Sequence, residues 1–107
     1  MELQRRDEMA SEGASKPHEM ILEGTSRHLR WVFGRNVERL RVAQGVGKSF
    51  FCLMADVSRP TLDKIESGAA DPKLSTMCRV SEALAANMAE LLQEDPLAAE
   101  TYPGRKR

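Results

Sequence analysis

Residues 53–68 read LMADVSRPTLDKIESG, and the fold turns on how this stretch is parsed. Ala55, Asp56 and Val57 leave room only for a tight turn. Ser58 stands where a helix N-cap belongs, because its side-chain oxygen can accept an amide proton that the first helical turn leaves unbonded. Pro60 falls within that first turn, where its missing N–H is harmless. Residues 59–67 therefore read as a helix that turns Leu62 and Ile65 inward, with Thr61 and Glu66 flanking them and Gly68 as its stop. Arg59, Asp63 and Lys64 are left on the opposite, polar face.

The same punctuation organises the chain on both sides. Upstream, residues 48–54 offer Phe51, Cys52 and Met54 as a helix of about two turns, set off by Gly45-Val46-Gly47. Before it, Leu29, Val32, Phe33, Val37 and Leu40 recur at three and four residues, which predicts a long first helix capped by Thr25 or Ser26 and ended by Gly45. Gly34 costs about 1 kcal/mol relative to Ala inside a helix. A break there, with the regular part starting only at Phe33, is left open. Downstream, Leu74, Met77, Val80, Ser81 and Leu84 mark a fourth helix that starts near Lys73 or Ser75 and ends near Ala85. Asn87 caps a fifth, carrying Met88, Leu91 and Leu92, which Asp95-Pro96 closes. A domain over residues 26–94 is thus expected between a low-order arm, 1–25, and a free tail, 95–107. A short helix over 19–22 stays open within the arm. No segment reads as a strand, so the class is all-α.

A chain of 107 residues can close one modest core. Apolar residues at 41% suit a globular domain, and aromatics at 5% leave that core to aliphatic side chains. No stretch approaches the roughly 18 apolar residues of a membrane span, and the first residues lack the apolar segment of a signal peptide, so a cytoplasmic, nucleoid-associated protein without membrane contact is expected. Cys52 and Cys78 belong to no CxxC pair and have no nearby pair of histidines, which argues against zinc or a disulfide; both are expected reduced and buried. His18 and His28 read as solvent-exposed, and Trp31 as either a lid on the core or a partner contact. Nothing sets a nucleophile beside a base, so no catalysis, metal or cofactor is expected. The net charge of zero conceals opposed regions. Residues 27–64 hold eight basic side chains against three acidic ones, whereas residues 65–94 hold two against five. One end of the domain is cationic, as a polyanionic partner would require.

Two short helices joined by a tight turn, the second capped and polar outside, form the helix-turn-helix arrangement whose second helix can enter the DNA major groove. Residues 34–92 resemble the lambda-repressor-like, Xre/Cro-type helix-turn-helix family. The resemblance lies in GRNVERLRVAQG, in LMADVSRPTLDKIESG and in DPKLSTMCRVSEAL followed by NMAELL. It implies an all-α, five-helix lambda-repressor-like domain with flexible terminal arms. It also implies a sequence-specific DNA-binding regulator, a repressor acting as a homodimer on double-stranded DNA. By position, Arg59, Pro60, Asp63 and Lys64 fall where family members read bases. Lys48, Ser58, Thr61 and Arg35 are the expected phosphate contacts, Lys48 standing where a glutamine is usual. Glu66 resembles a structural acid that pairs with an arginine of the first helix, here Arg39 or Arg41. The chain departs from the pattern at Asp56, which replaces the turn glycine, at Gly47, which replaces a cap, at Phe51-Cys52, which replaces Leu-Ala, and at Pro60, which removes a polar reader. Zero net charge, Pro60 and Asp63 keep an alternative in play: the same fold as a protein-interaction module, of anti-activator or antitoxin-like kind.

Overall fold

A computed structural model describes the backbone of residues 17–94 and the side chains from residue 24 onward. Five helices follow in order, α1 (Pro17–Ala43), α2 (Lys48–Ala55), α3 (Arg59–Ser67), α4 (Leu74–Leu84) and α5 (Met88–Leu92), with no strand among the described residues. The bounds of α2 to α4 lie within a residue of the sequence expectation, and α5 starts directly after Asn87 as expected but ends at Leu92, short of Asp95-Pro96. Helix α1 differs. It is helical from Pro17 rather than from Thr25 or Ser26, so it takes in residues 17–25 of the expected arm. Pro17 suits a first helical turn, and Gly24, with open space around it, is carried through without obstruction. Residues 1–16 of the arm and the tail 95–107, with the flexibility expected of them, lie outside the described residues.

Helix α1, about 40 Å long at 1.5 Å per residue, is the spine against which α3 and α5 pack, while α2 packs on α3 and α4. Phe33 and Val37 from α1 meet Phe51 and Ala55 from α2, Leu62 and Ile65 from α3, Val80 and Leu84 from α4 and Leu91 from α5 in one core, each at most 2% exposed. Burying each of the larger side chains contributes about 1.5–3 kcal/mol. Asn36 is just as deeply buried: its amide donates to the carbonyls of Leu91 at 2.8 Å and Gln93 at 3.0 Å. Those bonds anchor the end of a five-residue helix too short to be stable alone.

Three apolar expectations change. Leu29, on the inward stripe of α1, is 41% exposed and borders a shallow groove of about 360 Å³ with Phe33, Met77 and Leu92, because the shorter helices do not cover it. Leu74 is also exposed, since it opens α4 before the turn that packs. Cys78, expected buried, is exposed on α4, whereas Cys52 is half-buried against the core.

Gly34 does not break α1. A Cβ at this position would overlap the carbonyl oxygen of Ile65, so the glycine is required by the close approach of the α3 backbone rather than by a hinge. At the turns, Asp56 and Ala85 take left-handed backbone with φ 57° and 55°. Asp tolerates that region better than most residues, as expected here; Ala has no such excuse.

Two substitutions separate local propensity from packing. Helix propensity alone has Gly34→Ala stabilising by about 1 kcal/mol. The clash with an α3 carbonyl that cannot move freely reverses the sign, and urea denaturation is expected to show a loss of about 2 kcal/mol or more. Ala85→Gly relieves a left-handed alanine and is expected to raise stability by about 0.5–1 kcal/mol in the same assay.

Candidate nucleic-acid interface

The pose of α3 is set from both ends and from behind. At its start, the Ser58 hydroxyl oxygen accepts from the Thr61 amide at 3.1 Å, the N-cap read from the sequence. At its end, Gly68 adopts φ 82° and lies so near Trp31 of α1 that an added Cβ would come within 3.2 Å of the Trp31 Cα. Behind the helix, Glu66 is buried and bonded to Arg41, not to Arg39. Arg41 Nε donates to Oε2 at 2.7 Å, Nη2 to Oε1 at 3.1 Å, and Nη1 to the Val46 carbonyl at 2.8 Å. Hydrogen bonding to Glu66 pushes the Arg41 guanidinium pKa further up, so this charge is permanent. Arg39 instead donates to Asn36 Oδ1 at 3.0 Å.

With Leu62, Ile65 and Glu66 turned inward, the outward arc of α3 carries Arg59, Asp63, Ser67, Pro60 and Lys64 in angular order, spanning about 140° at 100° per residue. All five are exposed. The four expected base readers therefore share one solvent face. Lys48, at the start of α2, reaches this face: its Nζ donates to Asp63 Oδ1 at 3.0 Å. Arg59 Nε lies 3.5 Å from the same oxygen. Arg35 joins through a shallow groove of about 350 Å³ that it lines with Glu38, Lys48, Asp63, Glu66 and Ser67. Ser58 and Thr61 sit together at the head of α3, where Ser58 Oγ donates to Thr61 Oγ1 at 2.8 Å. That bond occupies the proton of Ser58 and leaves the Thr61 hydroxyl as the available donor.

The electrostatics are more balanced than the sequence suggests. Asp63 is shared by Lys48 and Arg59, and Arg35 is paired with Glu38 one turn along α1. Among the described residues Lys64 has no carboxylate partner. The hydrogen bond from Lys48 is the largest influence on the Asp63 carboxyl and, with the charges of Lys48 and Arg59, holds it below the ordinary carboxylate pKa against the opposing effect of desolvation. It is an anion throughout the neutral range. Sequence reading placed the face correctly but missed these pairings, because Lys48 and Asp63 are fifteen residues apart. It also missed Ser67, whose spacing of four from Asp63 was the available signal.

No helix of the described residues is long and apolar enough to cross a membrane, and no group of three or more His, Cys, Asp or Glu among them could hold a metal ion. No family model matches the sequence, and no curated protein matches it. Solved structures do. The restriction-modification controller protein C.AhdI from Aeromonas hydrophila superposes with a TM-score of 0.56 at 22% identity, over 58% of this chain and 94% of that one. A hypothetical transcription factor, NHTF, from Neisseria superposes with a TM-score of 0.60 at 20% identity, over 69% of this chain and 85% of that one. The described residues thus have the all-α, five-helix, lambda-repressor-like helix-turn-helix fold.

Proposed function

We propose that this protein is a sequence-specific DNA-binding transcription regulator, a repressor that lays α3 in the major groove. The observation that carries this reading is the outward arc of α3. Arg59, Pro60, Asp63 and Lys64 stand together on a capped helix, flanked by Lys48 and Arg35, with nothing of the described chain covering them. The chemistry fits a base edge. Arginine and lysine donate to guanine O6 and N7, and aspartate accepts from cytosine N4. Lys48, Thr61, Ser58 and Arg35 lie beside these readers, where phosphates flank a helix in the groove. The two structural neighbours, named as a controller protein and a transcription factor, support the same direction. The working unit is a homodimer, whose two α3 helices would read half-sites about 34 Å apart, in the cytoplasm at the nucleoid.

A second reading has its own observation. Helix α2 exposes Phe50, Leu53 and Met54, at 60%, 80% and 43%, on a surface that a DNA-binding helix has no need to make apolar. A protein-interaction module would use such a face. Retention of a stoichiometric protein partner, with no DNA retardation at low salt, would favour it.

Fluorescence anisotropy with a duplex from the region upstream of its own gene tests the main reading. Affinity is expected to fall steeply with added salt, and Arg59→Ala combined with Lys64→Ala is expected to erase the preference over a scrambled duplex. An unchanged preference in the double variant would sink the assignment of α3 as reader.

A further inference from the structure

We propose that Asp63 sets the sequence selectivity of this face by holding Lys48 and Arg59 away from phosphates until a cytosine amino group takes its carboxylate. The inference rests on the DNA-binding reading and deepens it. One carboxylate oxygen serves two cations from two helices: it accepts from Lys48 Nζ at 3.0 Å and lies 3.5 Å from Arg59 Nε. The side chains of Lys48, Asp63 and Arg59 are 34%, 49% and 53% exposed. Exposed pairs of this kind contribute little to folding and exchange partners easily. Nor is this cluster needed to join α2 to α3, which Phe51, Ala55, Leu62 and Ile65 already pack into one core. The cluster is therefore free to answer to a ligand.

On DNA of arbitrary sequence, binding depends on the number of phosphates that cations neutralise, and each such contact steepens the salt dependence by about 0.9. Lys48 and Arg59 are withheld from that count while they remain on Asp63, and the carboxylate itself repels the backbone. A base pair that presents cytosine N4 opposite Asp63 changes the balance. The amino group donates to the carboxylate, Lys48 becomes available to phosphate, and Arg59 to a phosphate or to guanine O6 and N7. A single acid then penalises every non-cognate site and recovers the penalty at the correct one. Lys64, with no carboxylate partner among the described residues, is outside this arrangement, so a basal attraction to DNA persists.

The substitution Asp63→Asn keeps the shape and removes the charge. The full-length variant, the parent protein and a control, Glu82→Gln on the exposed side of α4, are titrated onto a random-sequence 30-base-pair duplex across a salt series. The expected result is roughly tenfold tighter binding by Asp63→Asn, with a log–log salt slope steeper by about 1–2 per protomer, and no such change for Glu82→Gln. In selection from a random duplex pool, the parent is expected to enrich a C·G pair at one fixed position of each half-site, and the variant to lose that preference. Equal affinity and slope for the parent and Asp63→Asn, or an equal gain in Glu82→Gln, would overturn the proposal. Failure of the parent to retard any duplex at low salt would instead overturn the DNA-binding reading itself.

Discussion

The guanidinium of Arg41 meets both carboxylate oxygens of Glu66 and the carbonyl of Val46 at the point where α1, the loop after it and α3 converge. The two side chains are 8% and 5% exposed, so each charge depends on the other for its solvation. Removing either partner strands the other, at a cost of about 3–5 kcal/mol, although a well-packed apolar pair of similar volume would not necessarily be less stable. The contribution of the pair is therefore better understood as orientation than as adhesion. Leu62 and Ile65 hold α3 against the core without direction, whereas a bidentate contact with a third bond fixes its rotation about its own axis. Gly34 complements this by letting the α3 backbone come close to α1. What α3 shows to solvent follows from these two constraints.

The face so fixed is not a simple basic patch. Half of the eight basic side chains over residues 27–64 are engaged within the fold, Arg41 with Glu66, Arg35 with Glu38, and Lys48 and Arg59 with Asp63. Pro60 adds an exposed side chain that cannot donate a hydrogen bond. Such a surface is poorly suited to indiscriminate binding of polyanions and better suited to discrimination, where an intramolecular partner yields only to a matching ligand group. The chain's zero net charge is consistent with that economy rather than opposed to DNA binding.

Much of the fold is legible in the sequence because its signals are local. Ser58 and Pro60 mark the start of α3, Gly68 its end, and Asn87 with Glu90 forms a reciprocal cap for α5, so these helices sit where caps and periodicity put them. The exposed arc of α3 is legible for the same reason: once Leu62 and Ile65 face inward, the opposite arc is determined. What escapes sequence reasoning is tertiary. Gly34 reads as a breaker by propensity, yet its role is a close approach to Ile65 of α3, far along the chain. Asn36, an ordinary polar residue within a helix, is buried because it satisfies the carbonyls at the end of α5. The choice of Arg41 over Arg39 for Glu66, and of Asp63 as partner for Lys48, depends on how helices meet. Leu29 and Leu74 carry the right period but lie where no neighbouring helix covers them.

The central claim is that the face held in place by Arg41 and Glu66 is the surface that meets DNA. The most direct test is to map amide chemical-shift changes in the ¹⁵N-labelled protein as a duplex from the upstream region is added at low salt. The account predicts that the largest changes cluster at Arg35, Lys48 and residues 58–64, and that they reverse as salt is raised. Changes centred instead on the groove between α1, α4 and α5, around Leu29, Met77 and Leu92, or no change in α3, would contradict it.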